Sequence, residues 1–125
     1  MAIQILVVDD DPVMHQLLQH HMERAGFQTA SARNGREAIT MATQQPPSLI
    51  VMDIMMANMD GLTALRELKK TPATQHIPVI VITANNHYVS QQEAEASGAA
   101  LLLTKPFSPS QLMAEIKRLI PPSGT

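Results

Sequence analysis

The stretch Ile3-Gln4-Ile5-Leu6-Val7-Val8-Asp9-Asp10-Asp11 decides the fold of this chain, because an apolar run ends directly in three acids. Three further apolar runs also end in a polar residue: residues 49–52 lead into Asp53, residues 78–82 into Thr83, and residues 100–104 into Lys105. If the four runs are parallel strands, these acids, the hydroxyl and the ammonium meet at the carboxyl edge of one sheet. Open α/β sheets bind their ligands at that edge.

Length and composition indicate one ordinary globular domain. The chain has 125 residues, of which 45% are hydrophobic and 16% charged, and this size and balance are typical of a single domain. We expect residues 1–120 to form the domain and residues 121–125 to form a tail or the start of a linker.

Charge and residue usage exclude several classes of function. A net charge of −2 gives no basic surface for direct nucleic-acid binding. No apolar stretch approaches the 18 or so residues of a membrane span, and the N-terminus lacks the basic region of a signal peptide. The chain has no cysteine, which excludes disulfides and thiolate metal sites. We therefore expect a cytoplasmic protein without membrane contact.

Apolar runs alternate with segments of helical periodicity, a pattern that predicts βα units and a parallel sheet. Five strands and five helices are the count of a doubly wound α/β fold, and we adopt the strand order 2-1-3-4-5, one of its two common orders.

The first helix has a predicted start, stop and buried face. Asp11 suits the N-cap and Pro12 the first helical position, while Gly26 suits the stop. The expected inner stripe comprises Met14, Leu17, Leu18, Met22 and Ala25. The last helix is expected to begin in the same way, with Ser108 as cap and Pro109 after it.

The edge residues suit phosphoryl transfer. Asp10 and Asp53 follow neighbouring strands and can share one cation, whereas Lys105 lies two strands from Asp53, about 10 Å at the backbone. Clustered carboxylates need a counter-charge, and a hard cation such as Mg²⁺ with oxygen ligands supplies it. With Thr83 nearby and Lys105 reaching in, Asp53 is the best candidate for a nucleophile that attacks phosphorus in line.

At this point the chain closely resembles the receiver domains of the two-component response regulator family. The resemblance covers residues 5–120 and rests on five motifs: Ile5-Leu6-Val7-Val8-Asp9-Asp10-Asp11, Met52-Asp53-Ile54-Met55-Met56, Met59-Asp60-Gly61, Thr83-Ala84 and Lys105-Pro106-Phe107. It implies a flavodoxin-like receiver fold in which a partner histidine kinase phosphorylates Asp53.

The resemblance also implies a metal site. Asp10 would be the main acidic Mg²⁺ ligand, and Asp9 would act directly or through water. Asp53 and the backbone carbonyl of Met55 would complete the protein's ligands.

Phosphoryl binding and switching are implied for further residues. Thr83 and Lys105 would each bind a phosphoryl oxygen, and a cis bond between Lys105 and Pro106 would aim the lysine inward. Two positions depart from the family: Ala57 stands where Pro is usual, and Leu102 stands where many members have Tyr or Phe that turns inward on activation.

The expected function is a phosphorylation-controlled switch and not an ordinary enzyme, with phosphoryl transfer to itself and autodephosphorylation as its only chemistry. The expected partners are a histidine kinase or phosphotransfer protein and an output protein or fused output domain. The surface of helix 4, strand 5 and helix 5 would change on phosphorylation and is a possible dimer contact.

Other functions fit the residues less well. An aspartate-nucleophile phosphatase usually has a second acid two residues after the nucleophile, where this chain has Met55. A nucleotide-binding or flavodoxin-like carrier needs a glycine-rich phosphate loop, whereas the five glycines here are isolated. The residues after Asp9 lack the glycine and distal Glu of a calcium loop, and the five histidines are too scattered to favour a zinc site.

Overall fold

The computed structural model describes residues 4–53, 61–83, 91–104 and 107–120. Predictions for Met55, Ala57, Lys105 and Pro106, and for residues 121–125, lie outside the described residues.

The predicted doubly wound sheet is confirmed. All four strand pairs are parallel, and the strand order is β2-β1-β3-β4-β5. The elements in chain order are β1 (Ile5–Val8), α1 (Pro12–Arg24), β2 (Thr29–Ala32), α2 (Gly35–Gln44), β3 (Leu49–Asp53), α3 (Gly61–Lys70), β4 (Val79–Thr83), α4 (Gln91–Ala96), β5 (Leu101–Thr104) and α5 (Pro109–Leu119).

The predicted caps form as expected. The Asp11 carboxylate accepts a hydrogen bond from the Val13 amide at 3.0 Å, and the Ser108 hydroxyl accepts one from the Gln111 amide at 3.0 Å. One unpaired amide at the start of each of these helices, α1 and α5, is thereby satisfied.

The central strands are buried on both faces, as continuous apolar strands of a parallel sheet require. Every residue of β1, β3 and β4 is buried. Alternate residues of these strands enter two clusters: one lies against α2 and α3, and the other lies against α1 and α5. This packing holds the carboxyl ends of the strands in register.

The α4 helix is weakly anchored. It has six residues, and Ala94 is the buried one among the side chains that the structure describes there. By contrast, α5 buries Leu112 and Ile116.

None of the helices in the described ranges is both long and apolar enough to cross a membrane.

Candidate functional site

The register of β1 and β3 places two acids side by side. Val8 pairs with Met52, so Asp9 and Asp53 each lie one residue beyond this pair on neighbouring strands. Strands in such a pair run about 4.8 Å apart. The two acids therefore lie close together at the carboxyl edge of the sheet, whereas the pair singled out from the sequence was Asp10 and Asp53.

Burial divides the acids into two kinds. Asp9 and Asp53 are only 3% and 4% exposed, whereas Asp10 is exposed. The site thus has two buried carboxylates, which we call its floor, and one exposed carboxylate next in the chain to Asp9, which we call its mouth.

Asp9 is held by the loop that it begins. Its amide donates to the Ala32 carbonyl at 3.1 Å, and its carboxylate accepts from the Asp11 amide at 2.9 Å. These bonds fix both the backbone and the side chain of Asp9 relative to β2 and the start of α1.

Thr83 completes the described part of the edge. It ends β4 and is 2% exposed, and β4 is the strand next to Asp53. Thr83 pairs with Thr104, the last residue of β5. Lys105 follows Thr104 in the chain but lies outside the described residues, so its place in the site stays a prediction.

Leu102, which departs from the family pattern, lies one strand position before Leu103 and pairs with Val81. Its side chain is half-buried and packs against the cluster on the α2 and α3 side of the sheet. Leu102 is therefore already part of the core, whereas the Tyr or Phe of many family members would turn inward only on activation.

The donor set fits Mg²⁺. Within the described ranges, no group of three or more His, Asp or Glu side chains is arranged to hold a metal ion. Mg²⁺ keeps several of its waters and typically takes only one or two carboxylates from the protein. The neighbouring acids Asp9 and Asp53, with Asp10 at the mouth, offer oxygen donors of that kind.

Four of the five residues predicted for the inner stripe of α1 pack in the core (Met14, Leu18, Met22 and Ala25), but the fifth was wrong and a residue beside the site was missed. Leu17, expected on the inner stripe, is 44% exposed, whereas His15 is 7% exposed. The spacing of His15, Leu18, Met22 and Ala25 follows the 3.6-residue period, so periodicity alone could have found His15. Leu17 was predicted to be buried because it is apolar, although its position in the helical period is less favourable than that of His15.

Neutralising an acid at this edge should stabilise the metal-free protein. Two carboxylates about 5 Å apart repel by about 3 kcal/mol at an effective dielectric of 20. A neutral amide accepts weaker hydrogen bonds than a carboxylate, which offsets about half of this gain, so Asp53→Asn should raise the melting temperature in chelator by about 5 °C. Asp10→Asn should raise it less, because Asp10 is exposed. Stabilisation by added Mg²⁺ should shrink in both variants. Thermal melts with chelator and with Mg²⁺ measure this, and variants that melt below the parent in chelator contradict it.

Comparisons with known proteins agree on one family. Residues 5–117 match the family model described as "Response regulator receiver domain". The chain is 38% identical over 119 residues to the response regulator PleD of Caulobacter vibrioides, covering 95% of this chain and 26% of that protein. It is 33% identical to the alkaline phosphatase synthesis transcriptional regulatory protein PhoP of Bacillus subtilis, covering 94% of this chain and 48% of that protein. The chain thus spans about a quarter to a half of these curated relatives.

Solved structures give the same result. The signal receiver domain of a signal transduction histidine kinase from Syntrophus aciditrophicus is similar with a TM-score of 0.86 and 37% identity, covering 94% of this chain and 89% of that one. The chemotaxis protein CheY4 of Vibrio cholerae is similar with a TM-score of 0.87 and 28% identity, covering 96% of this chain and 100% of that one.

Proposed function

Because the chain belongs to the response regulator receiver family, we propose that Asp53 accepts a phosphoryl group, with Mg²⁺ assistance, from a histidine kinase or phosphotransfer protein. The observation that carries this proposal is the pair Asp9 and Asp53, buried side by side at the carboxyl edge of the sheet. Receiver domains of two-component response regulators are switches governed by phosphorylation, and Mg²⁺ is a general requirement of the family.

The reaction is a displacement at phosphorus. A carboxylate oxygen of Asp53 forms a bond to the phosphorus, while the bond from phosphorus to the donor breaks and its electron pair leaves with the donor. The donor is the imidazole nitrogen of a phosphohistidine, or acetate when acetyl phosphate is used. Mg²⁺, when bound, neutralises phosphoryl oxygens and the acids around them.

The acids have complementary roles in this proposal. Asp10, being exposed, binds the metal at the mouth of the site, and Asp9 supports it directly or through water. The backbone carbonyl of Met55 is proposed as a further ligand on the basis of the family resemblance.

Two groups are proposed to bind the transferred phosphoryl group. The Thr83 hydroxyl, at the end of the neighbouring strand, binds one oxygen and the Lys105 ammonium binds another, with the cis Lys105-Pro106 bond aiming it inward. Both interactions exist only after transfer, so they favour the phosphorylated state of the domain.

The output surface is proposed to be α4, β5 and α5. The weak anchoring of α4 supports this choice, because an element with few buried contacts changes position at low cost. The same surface is the proposed contact for an output protein, a fused output domain or a second copy. With Leu102 in place of an aromatic residue, the signal would run from Thr83 through the backbone of β4 and β5.

Family members are regulatory domains and not ordinary enzymes, and we propose autodephosphorylation as the only turnover here. Response regulators work with histidine kinases and output domains, and we place this one in the cytoplasm.

The test is incubation of the protein with acetyl phosphate and Mg²⁺, followed by mass spectrometry of the intact chain and of its peptides. The expected product carries one phosphoryl group, located on Asp53, and chelation of the metal prevents its formation. Unmodified protein after prolonged incubation, or a phosphoryl group on another residue, would contradict the proposal.

A further inference from the structure

His15 is a polar residue in an apolar place. It is the fourth residue of α1, and its ring is 7% exposed. Its helix neighbour Val13 is 70% exposed, so α1 turns an imidazole inward while leaving a β-branched aliphatic side chain in solvent. A polar group is buried without large cost only when it forms a hydrogen bond. The buried His15 ring therefore needs a hydrogen-bond partner.

That partner is the backbone of the first acid of the site. The Nε2 atom of His15 lies in hydrogen-bond contact with the Asp9 carbonyl oxygen. A carbonyl oxygen can only accept, so Nε2 carries the proton and donates it. The other ring nitrogen, Nδ1, is buried and has no hydrogen-bond partner within the described part of the chain. The hydrogen bond of this ring is therefore made to Asp9.

The Asp9 carbonyl belongs to the peptide unit that leads into Asp10. This unit is planar, so holding its oxygen also holds the Asp10 amide and Cα. The amide of Asp9 is bonded to Ala32 and its side chain to Asp11. His15 supplies the bond that fixes the far end of the residue, and its own amide donates to the Asp11 carbonyl at 3.1 Å.

We infer that His15 is a positioning residue for the acidic metal site: its Nε2–H orients the 9–10 peptide, and through it Asp10, toward the bound cation. The inference rests on the proposed function, which assigns Asp9 and Asp10 to the metal. His15 touches neither metal nor phosphoryl group and acts through the backbone. Partners that orient metal ligands in this way are usually worth a measurable part of the affinity.

The test compares two variants of nearly equal size and shape. His15→Gln keeps an amide N–H that can reach the Asp9 carbonyl, and His15→Met removes the donor. Both are good helix formers. The Mg²⁺ dissociation constant of the full chain, measured at one fixed pH by calorimetry or amide chemical shifts, should rise about tenfold in His15→Met. In His15→Gln it should stay near the parent value.

A matched control separates this effect from a general change in α1. His20→Met makes the same substitution at an exposed position of the same helix and should leave Mg²⁺ affinity unchanged. Melting temperatures without metal report any purely structural role. A loss of stability in His15→Met with parental Mg²⁺ affinity would overturn the inference, as would equal weakening by Met and Gln.

A measurement on the parent protein covers the case in which His15→Met does not fold. Long-range nitrogen–proton NMR should show the His15 proton on Nε2, with that resonance shifting when Mg²⁺ is added. A proton on Nδ1 alone, or no response to Mg²⁺, overturns the inference. If the parent protein binds no Mg²⁺ and acquires no phosphoryl group, the proposed function itself has failed. If the parent does both and the variants match it, only the role of His15 is lost.

Discussion

Replacing Asp53 by asparagine is expected to reduce phosphoryl incorporation from acetyl phosphate to background. The amide of asparagine is neutral and its oxygen is a weak nucleophile, so no acyl phosphate can form at this position. The substitution is nearly isosteric, and at 4% exposure the side chain keeps its place in the floor of the site. Intact-mass spectrometry in the presence of Mg²⁺ measures the result.

The matched control for this variant is Asp11→Asn. Asp11 is the N-cap of α1, and asparagine caps as well as aspartate does, so the fold and the labelling should both be retained. Asp53→Asn and Asp11→Asn each remove one carboxylate from the same edge of the sheet, but only Asp53 is the proposed nucleophile. Labelling of Asp53→Asn at a rate near that of the parent would mean that another group accepts the phosphoryl, and the assignment of Asp53 would be wrong.

The sheet was predictable because each of its strands is specified locally. The runs of β1, β3 and β4 are continuously apolar, which separates them from the amphipathic segments between them. The apolar run of residues 78–82 that leads into Thr83 matches the observed β4, Val79–Thr83, to within one residue. The ends of the strands then determine which residues form the site. A residue at the end of a buried strand lies at the sheet edge, however the helices pack.

The different surroundings of Asp9 and Asp10 were not predictable in the same way. Alternation of side chains applies inside a strand, but β1 ends at Val8, and beyond it burial depends on how the loop folds. That loop is held by the Asp11 amide and by His15. The second of these contacts comes from a helix, and its identity follows from how α1 docks on the sheet.

The contact between Lys69 and Gly98 was also beyond prediction, because the two residues lie far apart in sequence. Lys69, near the end of α3, donates to the Ile77 carbonyl at 2.5 Å and to the Gln75 carbonyl at 3.2 Å. Partial burial lowers the pKa of its ammonium. Its aliphatic stem lies against Gly98, and no local pattern in either segment indicates that the two meet.

This packing leads to the largest expected effect on stability, that of Gly98→Ala. Gly98 follows α4 with a φ of +107°, where a Cβ costs about 1–2 kcal/mol. A Cβ there would also lie 2.6 Å from Cγ of Lys69, so the stem must move and its hydrogen bonds are lost. Loss of those hydrogen bonds adds about 1.5 kcal/mol to the cost of the substitution. This is the lower end of the range for a charged donor, because the ammonium is partly exposed. The total, about 3 kcal/mol, should lower the melting temperature by about 10 °C.

Gly26→Ala supplies an unusually close control. Gly26 has a φ of +96°, and a Cβ there meets nothing within 4 Å. Both glycines close their helices with the same pair of backbone bonds: Gly26 to Glu23 and Phe27 to Met22 in one case, Gly98 to Glu95 and Ala99 to Ala94 in the other. The two substitutions therefore introduce the same backbone strain, but only Gly98→Ala also displaces the Lys69 side chain. Gly26→Ala should therefore lower the free energy of unfolding by about half as much.

The role of Lys69 can be isolated by a double-mutant cycle. If the Gly98→Ala penalty includes displacement of the lysine stem, Lys69→Ala should relieve that part, and the two changes should couple by about 1.5 kcal/mol. Denaturant unfolding of the four proteins measures the coupling. Equal costs for Gly98→Ala and Gly26→Ala, with zero coupling to Lys69, would show that the stem moves aside freely. In that case the contact between Lys69 and Gly98 contributes no stability, and the cost of Gly98→Ala comes from backbone strain alone.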